Sequence, residues 1–227
     1  IGFDGEWGLG MRLDNTISYP RSLTLGAIDN PQLIYDMGKE FARQMKRIGI
    51  HINFAPDIDV NINPNNPVIN DRSFGDNKFN VVRKSYYYMK GMQDNFMMAC
   101  GKHFPGHGDT ETDSHKDMPV LNQTKERLDA VELYPFSQLI RFGVSSMMVA
   151  HMNVLALDGA PNFPSTLSPK IVQNKLIDEM KFQGLIFTDA LNMKGIQKYY
   201  PSGVAEVMAI QAGCDVLLFP DDVDKAI

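Results

Sequence analysis

The chain has 227 residues, 44% hydrophobic and 22% charged, with 22 Lys+Arg against 27 Asp+Glu and a formal net charge of −5. This composition fits one large globular domain with a substantial core. The mildly acidic balance, with no basic cluster, argues against nucleic acid or an anionic membrane surface as partner. No apolar stretch approaches the roughly 18 residues that a bilayer-spanning helix needs, and Ile1-Gly2-Phe3-Asp4 lacks the basic start and apolar core of a signal peptide.

Strand-like and helix-like segments alternate along the chain, the pattern of a parallel sheet wrapped by helices. Residues 1–4 read as the first strand. A helix is expected over 30–49, where Leu33, Ile34, Met37, Phe41, Met45 and Ile48 recur at helical spacing between a capping Asn30, Pro31 at the first helical position and a terminating Gly49. Strands follow at 50–55 and 97–102, and the Tyr and Met stripe from Tyr86 to Met89 between them reads as core filling. A strand at 144–151 leads to a helix over 168–182, with Ile171, Val172, Leu176, Ile177 and Met180 on one side. The last strands are expected at 185–189 and 215–219. Most of these strands are continuous apolar runs, as in a sheet covered on both faces. Cys100 and Cys214 lie in or beside such runs and read as buried free thiols.

Polar residues stand where the strands end: Asp4, Asp57, Lys102-His103, His151 and Asp189. That is the pattern of an α/β (β/α)₈ TIM barrel, whose reactive groups gather on the loops after the strands. A doubly wound open sheet would carry a Gly-rich phosphate loop after its first strand, and Gly2-Phe3-Asp4-Gly5-Glu6-Trp7-Gly8 lacks the spacing. Six strands are two short of closure. The expectation is therefore an incomplete barrel whose first strands precede Ile1, with 1–4 and 215–219 as free edges.

The richest chemistry lies in Lys102-His103-Phe104-Pro105-Gly106-His107-Gly108-Asp109-Thr110-Glu111-Thr112-Asp113-Ser114-His115. A structural loop is ordinarily satisfied with Ser, Asn, Gly and Pro, without the desolvation problem of titrating groups. One reading of its residues is a metal-dependent hydrolase, since His103, His107, Asp109 and His115 are zinc- or iron-type ligands. Asp189 reads from position alone either as a reactive carboxylate or as a helix cap for Ala190-Leu191-Asn192. His151 reads as lining a pocket or bonding a neighbouring loop.

Asp4-Gly5-Glu6-Trp7-Gly8 with Arg12, Asp71-Arg72-Ser73-Phe74-Gly75, Lys102 to Gly108 with Asp113-Ser114-His115, and Phe187-Thr188-Asp189 together resemble glycoside hydrolase family 3, over nearly the whole chain and in order. The Asp-Ser-His element is similar to the β-N-acetylglucosaminidase branch that acts in peptidoglycan turnover. Trp7 departs from the pattern, which more often has a second Gly there, and the Gly-Glu-Trp variant looks like chains from Bacteroidetes that carry further domains.

The resemblance implies that 1–227 is a partial N-terminal catalytic barrel of a retaining exo-β-N-acetylglucosaminidase needing no cofactor and no metal. It implies a bacterial protein of cytoplasm or periplasm that acts on a carbohydrate. In that role Asp189 is the nucleophile, and His115 paired with Asp113 is the acid/base in place of the usual second carboxylic acid. Asp4, Arg12, Arg72, Lys102 and His103 hold the terminal sugar. Gly106 and Gly108 would let the loop swing over it. Other readings are a phosphorylase or β-glucosidase on the same scaffold, the metal-dependent hydrolase, and a non-catalytic glycan-binding homologue.

Overall fold

A computed structural model of the chain describes residues 1–112 and 117–227. Its strands in chain order are β1 (Gly2–Phe3), β2 (Ile52–Asn53), β3 (Met98–Phe104), β4 (Val120–Leu121), β5 (Ser146–Val149), β6 (Asn153–Val154), β7 (Leu185–Ala190) and β8 (Val216–Leu218). Six of them form one parallel sheet in the order β1-β2-β3-β5-β7-β8, and β4 and β6 pair apart from it. Each of the six predicted strands falls on one of these six. The sheet is a half-barrel with helices against its outer face, the architecture read from the alternation of elements. Among the described residues, β1 and β8 each pair on one side only.

The period of two along parallel strands decides what faces inward. Phe54, Cys100, Met148 and Phe187 form a compact inner cluster, packed by Ile52, Val216 and Leu218. Two residues beyond Cys100 is Lys102, and two beyond Phe187 is Asp189. Both polar groups therefore stand above an apolar floor on the same face. In β3 the pairing with β5 loses register between Gly101 and Phe104, and His103, next to Lys102, faces the same space.

The outer layer is built by helices. Helix Gln32–Arg47 buries Ile34, Met37, Phe41, Ala42 and Met45, and the Asn30 side chain accepts from Gln32 N at 3.1 Å, the capping expected from the sequence. Helix Lys78–Gln93 starts on Asn77, whose side chain accepts from Phe79 N and Asn80 N. Within it Tyr88 and Met89 are buried, in line with the core reading of that stripe. Helix Lys170–Glu179 falls inside the predicted 168–182 segment, and its backbone bonds include wide i to i−5 pairs, Asn174 N to Pro169 O at 2.9 Å among them. Cys100 and Cys214 are free and buried. No helix among the described residues is long and apolar enough to cross a membrane.

The first two long helices touch backbone to backbone. A Cβ on Gly91 would lie 2.1 Å from Tyr35 O, and one on Gly38 would lie 2.5 Å from Tyr88 O. Neither atom can move without shifting a helix. Gly91→Ala should therefore cost about 1–3 kcal/mol by overpacking, read as a lower urea midpoint with unchanged slope; an unaltered midpoint would show that the helices are not packed this closely.

Candidate active site

At the carboxyl ends of the strands lies a cavity of about 420 Å³, within the roughly 300–1,000 Å³ of small-molecule sites. Its walls include Asp4, Glu6, Arg12, Arg72, Lys102, His103 and Asp189, above Phe54 and Met148. Six of the eight residues singled out from the sequence thus converge: Asp4, Arg12, Arg72, Lys102, His103 and Asp189. The other two, Asp113 and His115, lie outside the described residues.

The charged groups form one continuous chain. Asp4 takes Arg12 at 3.1 Å and Lys102 at 2.9 Å. Lys102 also meets Glu6 at 2.9 Å, and Glu6 receives Arg72 through Nε at 3.0 Å and Nη2 at 2.7 Å. Arg72 Nη2 continues to His103 Nε2 at 3.1 Å, and His103 Nδ1 to Asp59 Oδ2 at 2.8 Å. An arginine can only donate, so His103 accepts at Nε2 and donates from Nδ1 to Asp59. Asp59 also accepts from the backbone N of His107 at 2.6 Å. Glu6 and Lys102 are each about 2% exposed in their side chains, so their charges persist only as partners.

The carrier loop of Asp4 and Glu6 is held by backbone contacts. Asn53, buried in β2, accepts from Gly5 N at 3.0 Å and donates to Gly5 O at 3.2 Å. Tyr88 Oη donates to Glu6 O at 2.9 Å. Gly8, at φ +85°, turns the chain so that its N reaches Gly5 O at 3.1 Å. Trp7 projects from this turn into the cavity wall, with the Arg21 guanidinium 4.2 Å over its ring and Arg21 in turn paired with Asp71 at 3.0 Å.

Partners decide which groups are ionised. Burial pushes the Glu6 carboxyl up, but Lys102 and Arg72 outweigh it and hold the group well below the usual range. Asp4 is likewise lowered: burial is overcome by Lys102 and Arg12. The same contacts raise Lys102 and Arg72 against burial. Asp189 is half-buried in the cavity wall and its carboxyl is lowered, because His103, His151, the Ala190 N–H at 2.8 Å and Lys102 together outweigh desolvation. Asp57 goes the other way. Burial and the neighbouring Asp59 raise it well above the ordinary value, and among the described residues its Oδ2 has no hydrogen-bond partner. Burial, with His103 beside it, pushes His107 down to about 4.

Asp189 is not a helix cap, since the helix after it, Lys194–Gln197, starts on Met193. His151 sits behind it, bonded to Thr166 Oγ1 and Ala190 O. Glu6 and Asp59 were not read from the sequence as site residues. The available signal for Glu6 was its i, i+2 relation to Asp4 on a glycine-bounded turn. Among the described residues, one trio of ligand-type side chains comes together, Asp57, Asp59 and His103, and both ring nitrogens of its His103 are bonded within the protein. Of the proposed ligand set His103, His107, Asp109 and His115, Asp109 points instead to Gln123 at 2.7 Å and His107 Nδ1 to Thr110 at 2.7 Å.

A parallel half-barrel with paired carboxylates and cations gathered at its strand ends, over an apolar floor, is an α/β fold of the TIM-barrel type with a polar cavity at its rim. The glycosyl hydrolase family 3 N-terminal domain matches residues 1–227, and the chain belongs to that family. It is 34% identical over 235 residues to beta-hexosaminidase A of Pseudoalteromonas piscicida, covering 97% of this chain and 39% of that protein. The chain thus spans well under half of that relative's length. A family 3 beta-N-acetylglucosaminidase structure from Paenibacillus sp. str. FPU-7 superimposes with a TM-score of 0.91 at 38% identity, covering 96% of this chain and 41% of that one. The beta-glucoside phosphorylase BglX bound to 2FGlc reaches a TM-score of 0.94 at 25% identity, covering 99% and 42%.

The raised Asp57 gives a test of these electrostatics. A carboxyl raised on folding contributes stability below its unfolded value, roughly 3.9, and loses it as pH climbs through the folded value. Asp57→Asn keeps the acceptor for Asp59 N at 3.0 Å and has no proton to lose. Its urea midpoint should match the parent near pH 4 and exceed it increasingly toward pH 7; a gap that does not grow with pH would refute the assignment.

Proposed function

We propose that residues 1–227 form the catalytic barrel of a retaining exo-β-N-acetylglucosaminidase that removes terminal β-linked N-acetylglucosamine from glycans such as peptidoglycan fragments. The observation that carries this reading is a half-buried Asp189, its carboxyl lowered toward the ionised form, sharing one cavity with the Arg12–Asp4–Lys102–Glu6–Arg72–His103 chain. Sugar hydroxyls need charged, directional partners, and the apolar Phe54 and Met148 suit a sugar's carbon face. The hexosaminidase names of the relatives support the N-acetyl sugar.

In this mechanism the Asp189 carboxylate attacks the anomeric carbon while the glycosidic bond breaks and the departing oxygen takes a proton. His115, oriented by Asp113, supplies that proton. The imidazole then removes a proton from water, which attacks the glycosyl-aspartate, frees Asp189 and leaves the sugar with its original configuration. The salt-bridged cations hold the hydroxyls before and after, so they bind and do not transfer protons.

Hydrolysis of aryl β-glycosides of N-acetylglucosamine and of glucose, with the product anomer followed by NMR, tests the reading: the N-acetyl substrate should be preferred and the β-anomer should appear first. Asp189→Ala should lower turnover by about 10⁴-fold or more while sugar binding persists in part, since the other contacts remain. His115→Ala should slow natural substrates far more than aryl glycosides with good leaving groups, which need little protonation; equal losses would make His115 structural.

Activity should survive prolonged chelation, because protein groups supply both nucleophile and proton. Loss to a chelator and recovery with zinc would instead favour the metal-dependent reading. The likeness to a beta-glucoside phosphorylase supports a second outcome, and it would be revealed by a glycosyl phosphate appearing when inorganic phosphate is added.

A further inference from the structure

His151 follows β5, is fully buried, and among the described residues makes two hydrogen bonds whose chemistry sets its protons. Its Nδ1 lies 2.8 Å from Thr166 Oγ1 and its Nε2 3.0 Å from the carbonyl oxygen of Ala190. Thr166 has a single hydroxyl hydrogen, and Oγ1 lies 2.7 Å from Ala150 O and 3.2 Å from Val149 O. Carbonyl oxygens only accept. Were the hydroxyl hydrogen aimed at His151, Thr166 Oγ1 and Ala150 O would face each other at 2.7 Å with no hydrogen between them. The hydroxyl therefore donates to the backbone and accepts from His151 Nδ1–H, and Ala190 O accepts from Nε2–H. A neutral imidazole has one N–H to give, and two are donated here.

Burial alone disfavours a charged imidazole, so the position needs a compensating anion. Asp189 provides it: it directly precedes Ala190 and interacts electrostatically with His151. Ala190 links the two groups through its backbone as well. Its carbonyl receives His151, and its N–H binds Asp189 Oδ1 at 2.8 Å.

We propose that His151 is held as a buried imidazolium, clamped by Thr166, and acts as the positioning residue of Asp189, fixing the Ala190 backbone while its charge faces the carboxylate. An aspartate so placed is a weaker base and a better leaving group from the anomeric carbon. The ring is thus set to favour release of the sugar from the glycosyl-aspartate. This kinetic consequence rests on the nucleophile role proposed above; the protonation state does not.

The test is a ¹⁵N–¹H correlation spectrum of the imidazole rings in protein labelled on histidine, which has five to assign, with His151→Gln identifying the His151 signals. At neutral pH both ring nitrogens of His151 should be protonated, whereas His103 should show one bare nitrogen facing Arg72. A bare nitrogen on His151 overturns the proposal. Thr166→Ser should keep both protons and Thr166→Val, lacking the acceptor, should release the one on Nδ1; a doubly protonated ring in Thr166→Val would refute the clamp. In turnover, His151→Gln should lower kcat by about 10- to 100-fold, one to two tenfold steps of transition-state stabilisation, with KM within about threefold. An unchanged kcat removes the positioning role. Should the protein cleave no hexosaminide at all, the spectrum still decides the proton count, so the two readings fail separately.

Discussion

The fully buried Glu6 carboxylate, placed between Lys102 and Arg72, is the contact on which the site depends. Three charges out of water would be ruinous singly, and their mutual attraction offsets the desolvation only because the geometry is close and bidentate. The consequence is positional. With Glu6 in place, Lys102 turns a second hydrogen to Asp4, Arg72 Nη2 turns its second hydrogen to His103 while Nη1 meets Val68 O, and each cation is pinned in direction. Removing one partner of such a set leaves a buried charge uncompensated, at a cost of about 3–5 kcal/mol. Glu6 is therefore architecture for the cavity-lining groups Asp4, Lys102, Arg72 and His103.

The half-barrel makes this arrangement possible by stacking two kinds of layer on one face. The period of two sends Cys100 and Phe187 into a dry cluster with Phe54 and Met148. The same period sends Lys102 and Asp189 into the next layer up. Because the strands are parallel, those next layers all open at the same rim. A low-dielectric floor strengthens each charge pair above it, and it also explains why Asp57, which meets Arg72 only at 3.8 Å and shares it with Glu6, is raised by burial and Asp59 while Asp4 and Glu6 are lowered.

Strands are legible because a sheet covered on both faces writes itself as short apolar runs, and most of the six in the main sheet read that way. Helix Gln32–Arg47 announced itself by period and caps. Helix Lys78–Gln93 did not, because its buried face includes Lys84, Ser85 and Gly91, residues that break an apolar stripe: Lys84 Nζ reaches the Ile28 carbonyl, and Gly91 is there for backbone approach. Of the site, the strand-end residues were readable and their support was not. Glu6 and Asp59 look in sequence like ordinary loop acids, and only the fold shows them buried against Lys102, Arg72 and His103. Sequence fixes which residues follow a strand; it says nothing of which loop folds over which.

The histidines make the same point through one side chain in different settings. His103 is flanked by an obligate donor, Arg72, and an acceptor, Asp59, so its ring gives one hydrogen and receives another. His107 is buried with Thr110 on Nδ1 and, among the described residues, no hydrogen-bond partner on Nε2, and burial drives it toward the neutral form. His151 meets acceptors at both ends, and an anionic neighbour, Asp189, lies beside it. Three rings within one rim thus differ in what they can donate, although nothing in their local sequences distinguishes them. What separates them is the identity of the partner that each neighbouring strand end brings, which is the sense in which the barrel, and not any single motif, sets the chemistry around Asp189.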